Sequence, residues 1–415
     1  MSSTTTTKRS PTKASKSSKG KAALKPSASA PPLGKFLASS EKHIRDKAVA
    51  SLAKFLSAGH KRTSDADGQD EPPLIVGDVQ WDNETVIDKR LRGIEMAKLW
   101  KGIFFCFWMS DKPLVQQALA QDLANLTLDV RPKDKDAGRV ERFRAALAYL
   151  RGFWEAVVRE WSGLDRLRSL AKNWQLTPWE FSPSASCRLD KFYLLIRRFV
   201  YAAFALLQRE EWDPRAIEEY NQLLTGPGGP LHVTDARIPA SLAYHLADIY
   251  LAEIERICPP VDSPSPVVPV IPLLQPFLTT LALAPSKTLF QRVTSNVTTP
   301  LLEDALPAPP APPSKRRKVE SSIEKATFPG IFSHAQEAGK DEVSEEERKE
   351  KVGKALLRAL FEEGAKSATN EVNRRRLYEI VKQREEAGVE FPFTTGLHSQ
   401  KSQQFQAMRN QKGAI

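Results

Sequence analysis

Apolar residues return every third or fourth position once the chain passes Leu33. Ile44, Ala48, Leu52 and Phe55 form one stripe, with Val49 and Leu56 beside it, while Lys42, Arg45 and Lys54 fall outside it. That spacing predicts an amphipathic helix. Ser40 ahead of Glu41 is its expected N-cap, with the carboxylate favoured by the helix dipole. A polar stretch over residues 58–77 reads as a loop. The next helix is predicted from Val86 to Met109. Leu91, Ile94, Leu99, Ile103, Phe107 and Trp108 populate it so densely that it must be buried on most sides. The run is too short for a bilayer, and Lys101 lies inside it. Asp111 as cap and Pro113 in the first turn then start a helix bearing Leu114, Val115, Ala118, Leu119 and Leu123. After a charged loop, Lys133 to Gly138, the positions Phe143, Leu147, Leu150, Phe153, Trp154 and Val157 make another apolar face. Helices are also predicted at Leu189–Glu210, Pro214–Thr225 and Pro239–Ile257, with Asp213 capping the middle one. Gly226-Pro227-Gly228-Gly229-Pro230 is a hard break.

Strand-like alternation is nearly absent before Cys258. The fold class is therefore all-α, with antiparallel helix pairs forming a HEAT-like α-solenoid. No tight repeat accompanies it, so the solenoid rests on helix spacing alone. Around this 33–257 domain the pattern breaks. Residues 1–32 carry Lys and Arg among Ser, Thr, Pro and Ala with no acidic residue, which predicts a disordered basic tail and not a secretory signal. Residues 258–342 are studded with proline and read as a linker or a surface-draped segment, with Val267 to Leu283 apolar enough to dock. Helical segments return over 343–386, at Val343–Glu363 and Asn370–Glu386. Residues 387–415 are polar and expected to be disordered.

Composition narrows the partners. A net charge of +11 over 415 residues favours a polyanion, nucleic acid ahead of an anionic membrane. Three scattered cysteines, an odd number, fit a reducing compartment and oppose a disulfide framework. Lys315, Arg316, Arg317 and Lys318, between prolines and an acidic stretch, read as a nuclear import signal that an importin reaches on extended chain. A chance basic patch is the competing reading. Arg374-Arg375-Arg376 points in several directions round a helix and reads first as a solvated face. Trp100, Trp108, Trp154 and Trp161 sit in apolar stripes and are assigned to core, not to base stacking.

Searches for an active site fail. Gly226 to Gly229 lack the Lys-Ser/Thr of a phosphate loop and follow no strand. The six histidines are dispersed and no Cys-x-x-Cys exists, so neither a metal nor another cofactor is expected. Glu210-Glu211 and Glu218-Glu219 occupy exposed-looking positions.

Several ordered phrases nevertheless have a recognisable form. They are Lys35-Phe36-Leu37-Ala38-Ser39 with Ile44-Arg45-Asp46-Lys47-Ala48, and the corner Leu99-Trp100-Lys101-Gly102 through Trp108-Met109-Ser110-Asp111-Lys112-Pro113. Further on come Phe153-Trp154 with Arg159 through Arg168, Leu189-Asp190-Lys191 through Arg198, and Tyr244-His245-Leu246-Ala247-Asp248-Ile249-Tyr250-Leu251. Together these resemble the ribosomal RNA-processing protein 1 family (the nucleolar Nop-fifty-two family), in a fungal-type member, over Leu33 to Ile257. One departure stands out. The family pattern runs from Arg168 straight to Leu189, and here Ser169 to Arg188 intervene. The segment is a retained intron or gene-model error, or else a lineage-specific loop.

The resemblance implies a nucleolar, non-catalytic assembly factor. It would support processing of precursor rRNA in pre-large-subunit particles, beside other assembly factors, with no membrane and no small-molecule substrate. On the residues themselves, basic side chains outside the apolar stripes are candidate phosphate contacts: Lys42, Arg45, Lys112, Arg166, Arg168, Lys191, Arg197 and Arg198. A helical adaptor in the nucleus that binds only proteins is the alternative.

Overall fold

The computed structural model describes residues 36–37, 39, 41–57, 93–132, 138–173, 184–260, 267–308, 327–338 and 344–389. Among the described residues regular structure is helical apart from one isolated bridge, Val268 to Ala335. The all-α expectation is borne out, and the arrangement is solenoid-like.

The helices are α1 (Lys42–Ser57), α2 (Gly93–Trp108), α3 (Pro113–Asp129), α4 (Arg139–Asn173), α5 (Ser184–Arg209), α6 (Pro214–Thr225) and α7 (Ala240–Ile257). Beyond the expected domain end come α8 (Val270–Leu283), α9 (Lys287–Val293), α10 (Thr299–Ala305), α11 (Pro329–His334), α12 (Glu345–Ala365) and α13 (Glu371–Glu386). A π-turn, Thr294–Thr298, joins α9 to α10.

Every second helix is a neighbour. One layer runs α1, α3, α5, α7, α9, and the other runs α2, α4, α6, α8, α12. This is what stacked helix pairs produce, because each apolar stripe finds cover only on the adjacent pair. The seam between layers is aromatic. Phe153 of α4 stacks on Phe199 of α5 with ring centroids 3.7 Å apart, and Trp100 of α2 lies 4.8 Å from Tyr149 and 5.6 Å from Phe153. Trp100, Trp154 and Trp161 are buried and Trp108 is half-buried, as core residues should be.

Helix starts follow local chemistry with small shifts. Asp213 caps α6 as expected, accepting from the Arg215 N–H at 2.8 Å, with Pro214 in the first turn. At α1 the accepting side chain is Ser39, whose Oγ takes the Glu41 N–H at 3.2 Å, while Ser40 lies outside the described residues. At α3 the cap position is Lys112 rather than Asp111, with no side-chain cap bond. Residues 86–92 of the expected second helix also lie outside the described residues.

The linker expectation for 258–342 is corrected over 267–308 and 327–338. Leu273, Leu274, Phe277, Leu278 and Leu281 of α8 are all fully buried. Pro276 sits inside that helix. A mid-helix proline costs about 3 kcal/mol. Burial of each large apolar side chain returns about 1.5–3 kcal/mol, so five of them outweigh it. The proline signal was local and the compensation is tertiary. Two carboxylates cap helices in trans. Glu255 accepts the Gly330 and Ile331 N–H groups of α11, both at 2.8 Å, and Glu337 accepts that of Ile271 at 3.0 Å. Residues 309–326, including the expected import signal Lys315, Arg316, Arg317 and Lys318, lie outside the described residues. So do the expected tail 1–32 and most of the expected tail 387–415; of the latter, residues 387–389 are described and Val389 is buried.

Candidate nucleic-acid interface

Helices α5, α7 and α9 share a layer, and their solvent edges carry arginine between aromatic rings. Arg197 of α5 pairs with Glu253 of α7, a carboxylate with no exposed side-chain surface, and Arg256 reaches the other oxygen of that group at 3.3 Å. Arg256 also lies over the Tyr201 ring, 4.3 Å from its centroid. Five residues before Glu253, Asp248 holds Arg292 of α9 through a two-bond fork at 2.9 and 2.6 Å. One turn before Asp248 on α7, the His245 ring lies 4.1 Å from that of Tyr193, and its Nε2 meets the Tyr193 carbonyl at 3.2 Å. Burial lowers His245 to about 4, against the pull of that carbonyl and Asp248 and with a push from Arg197. The imidazole is therefore neutral at physiological pH and the positive charge is all arginine.

The carboxylates beneath these arginines fix them without covering them. The side chains of Arg197, Arg256 and Arg292 stay 44%, 43% and 50% exposed. A guanidinium has five N–H donors, and each pair uses one or two, so these half-exposed arginines keep donors for a further partner. Such a ridge suits phosphate oxygens and positions a strand without reading bases.

The expected contacts scatter across the molecule. Arg197 lies on the ridge, whereas Arg198, next to it on α5, is half-buried and its Nε is buried without a hydrogen-bond partner. Lys42 is exposed but pairs with Asp46 at 2.6 Å. Lys112 is exposed at the α2–α3 corner, away from the ridge. Arg166 and Arg168 lie near the end of α4, their side chains outside the described residues. Two of the expectations are corrected. Lys191 is 3% exposed, and its ammonium donates to the carbonyls of Trp108 at 2.6 Å and Ser110 at 2.9 Å, closing the end of α2. Arg45 is buried and donates to the Ser39 carbonyl at 2.9 Å. Both lie off the apolar stripe of their own helix, but a neighbouring helix covers them. Glu210 is likewise buried, between Arg139 at 2.7 Å and Arg209 at 3.2 Å. Arg256 and Arg292 were missed. Their only sequence signal is a basic residue in the last turn of a helix, which is common.

Elsewhere the chemistry is quiet. Burial pushes the Cys106 thiol up to about 11 and Cys258 up to about 12, so neither is a thiolate at neutral pH. Among the described residues no group of three His, Cys, Asp or Glu could hold a metal ion, and no helix is long and apolar enough to cross a membrane. The glycine turn 226–229 ends α6, and a Cβ on Gly229 would lie 2.4 Å from the Leu224 carbonyl. Phosphate binds where helix N–H groups begin, whereas this turn faces the carbonyl end. A cavity of about 40 Å³ lies beneath it, lined by Arg151, Trp154 and Glu155. Burial raises Glu155 there to about 7, against the pull of Arg151 and Arg159. That space suits water, not a nucleotide.

Stacked helix pairs define a helical-repeat protein. A family model described as "Nucleolar protein, Nop52" matches residues 28–172 and 185–381. The chain belongs to that family. The match continues well past Ile257, through α8 to most of α13, and breaks only at 173–184. The chain is 28% identical over 221 residues to "Ribosomal RNA processing protein 1 homolog B" of Homo sapiens, covering 53% of this chain and 22% of that protein. It is 28% identical over 228 residues to "Ribosomal RNA processing protein 1 homolog A" of Mus musculus, covering 54% and 34%. A Drosophila melanogaster homolog is 27% identical over 190 residues, covering 45% and 22%. The chain thus spans about a third or less of the length of these relatives.

Proposed function

We propose that this chain is a non-catalytic nucleolar factor of ribosome biogenesis that scaffolds pre-large-subunit particles and supports processing of precursor rRNA. Family membership and the names of its relatives support the pathway. The observation that carries the mechanism is the α5–α7–α9 ridge, where Arg197, Arg256 and Arg292 are fixed by carboxylates yet keep donors free for phosphates. An importin is expected to recognise Lys315–Lys318 and deliver the chain to the nucleus. The expected insertion, residues 169–188, overlaps the ends of α4 and α5, and the break in the family match supports its central part, residues 173–184. Sequencing the transcript across that junction separates a retained intron from a genuine loop.

The test is binding of the purified chain to precursor rRNA across a salt series. Each phosphate contact contributes a slope of about −0.7 to −0.9 in log K against log salt. Replacing Arg197 and Arg292 with Gln should flatten the slope by about 1.4–1.8. Glutamine is preferable to charge reversal, because a carboxylate at 197 would face Glu253. A slope unchanged by the substitutions refutes the ridge. Salt-independent behaviour with intact attachment to pre-ribosomal particles favours the adaptor reading, in which the ridge arginines serve only Glu253 and Asp248.

A further inference from the structure

Along the outward face of α2, Lys98, Lys101 and Phe105 and, just past its end, Met109 follow at three- and four-residue spacings, so these four share one stripe. The opposite face, with Leu99, Trp100, Ile103 and Phe107, is buried. Phe105 is 40% and Met109 42% exposed, and Leu114, at the start of α3 just past the corner, is 79% exposed. Half of the six large hydrophobics exposed among the described residues therefore fall within ten residues of one another. Their exposed area is on the order of 300 Å², the lower end of the range for the largest apolar patch on a typical monomer, which is often functional.

The corner is also stiff. Lys191 grips the Trp108 and Ser110 carbonyls from α5, and Gln116 donates to Ser110 from α3 at 2.7 Å. A patch held in one geometry loses little entropy on binding. Its rim is positive. Lys98, Lys101 and Lys112 are exposed, with Asp111 the acidic residue at the turn. No ion pair to these lysines is seen among the described residues.

We propose that this corner docks an amphipathic helix of a partner protein whose apolar anchors are flanked by Asp or Glu. The anchors cover Phe105, Met109 and Leu114, and the acidic flanks meet Lys98, Lys101 and Lys112. A nucleic acid would use the lysines but leave the apolar side chains in water. A second copy of the chain would bring lysines against lysines. The site is separate from the arginine ridge and does not depend on it.

The probes are two fluorescein-labelled helical peptides of about 16 residues with identical Leu and Phe anchors, one flanked by Glu and one by Lys. The full chain should bind the Glu-flanked peptide about tenfold tighter or more. Lys98→Glu with Lys101→Glu should reverse that preference. Phe105→Ala with Met109→Ala should weaken binding by about tenfold or more. Leu114→Ser, at a position too exposed to affect folding, should also weaken it. In cells, a photoreactive phenylalanine at position 105 should crosslink to an acidic apolar peptide segment, identified by mass spectrometry, and lose that crosslink with Lys98→Glu and Lys101→Glu. Equal binding of both peptides, no binding, indifference to the patch substitutions, or a crosslink to RNA or to the chain itself would each overturn the proposal.

Discussion

Lys191 separates a structural lysine from an RNA contact. Its ammonium sits 2.6 Å from the Trp108 carbonyl and 2.9 Å from that of Ser110, at the negative end of the α2 dipole. Lys191→Met keeps the apolar stem among Phe107 and Phe192 but deletes both bonds. The Ser110 carbonyl retains Gln116 as a donor. A hydrogen bond to a charged group contributes about 1.5–3 kcal/mol. With the dipole interaction added, the expected loss is about 2–3 kcal/mol. At a little under about 2 °C per kcal/mol for a chain with more than about 250 described residues, the melting temperature should fall by roughly 3–6 °C. Calorimetry of the purified variant measures the fall, and the salt slope of rRNA binding is followed in parallel. An unchanged melting temperature with a slope flattened by about one phosphate would refute this reading. It would restore Lys191 to the RNA surface.

Other substitutions probe the packing and the buried acid–base groups. Gly152→Ala in α4 should destabilise by about 1–3 kcal/mol in urea melts despite alanine's better helix propensity, because the added Cβ would lie 2.3 Å from the buried Trp100 Nε1. His245 is held near 4, below its usual range, so the unfolded chain takes up its proton first. Its contribution is full above about pH 6.5 and is lost as pH falls towards 4. His245→Gln should flatten that acid limb in stability measured against pH. Glu155 has the opposite sign. Raised to about 7, it favours the fold while protonated, and that stability drains away as pH rises from about 4.5 through 7. Glu155→Gln should therefore gain on the wild type between pH 5 and pH 8, and a constant difference would contradict the buried carboxyl. A chain ending at Ile257 should aggregate in sedimentation, because Tyr250 loses Phe277, 4.7 Å away, and the Leu273 carbonyl that its hydroxyl meets at 3.0 Å.

Much of the site was readable only in pieces. Arg197 and Arg198 stood out as basic positions beside an apolar stripe, and the ridge contains Arg197. Arg256 and Arg292 did not stand out, because what makes them a site is Glu253 and Asp248 holding them beside Arg197. Arg197 and Glu253 are 56 residues apart in the chain, and Arg292 and Asp248 are 44 apart. Lys191 and Arg45 looked the same as Arg197 by spacing. A single helical stripe says which side of a helix is greasy, but not whether a second neighbour covers the flank.

Helix identity was settled locally. Periodic apolar faces, the Asp213-Pro214 start and the 226–230 break are short-range features, and backbone hydrogen bonding in a helix is short-range too. Those residues alone specified an all-α chain of packed pairs. Where the domain stopped was a different matter. Proline in α8 argued against a helix at every local scale, and only the burial of Leu273, Phe277 and Leu281 between other helices reversed that balance. The same physics sorted the charges. A lysine's electrostatic role depends on what lies within a few ångströms of its tip, and that is decided by which distant helix comes to rest there.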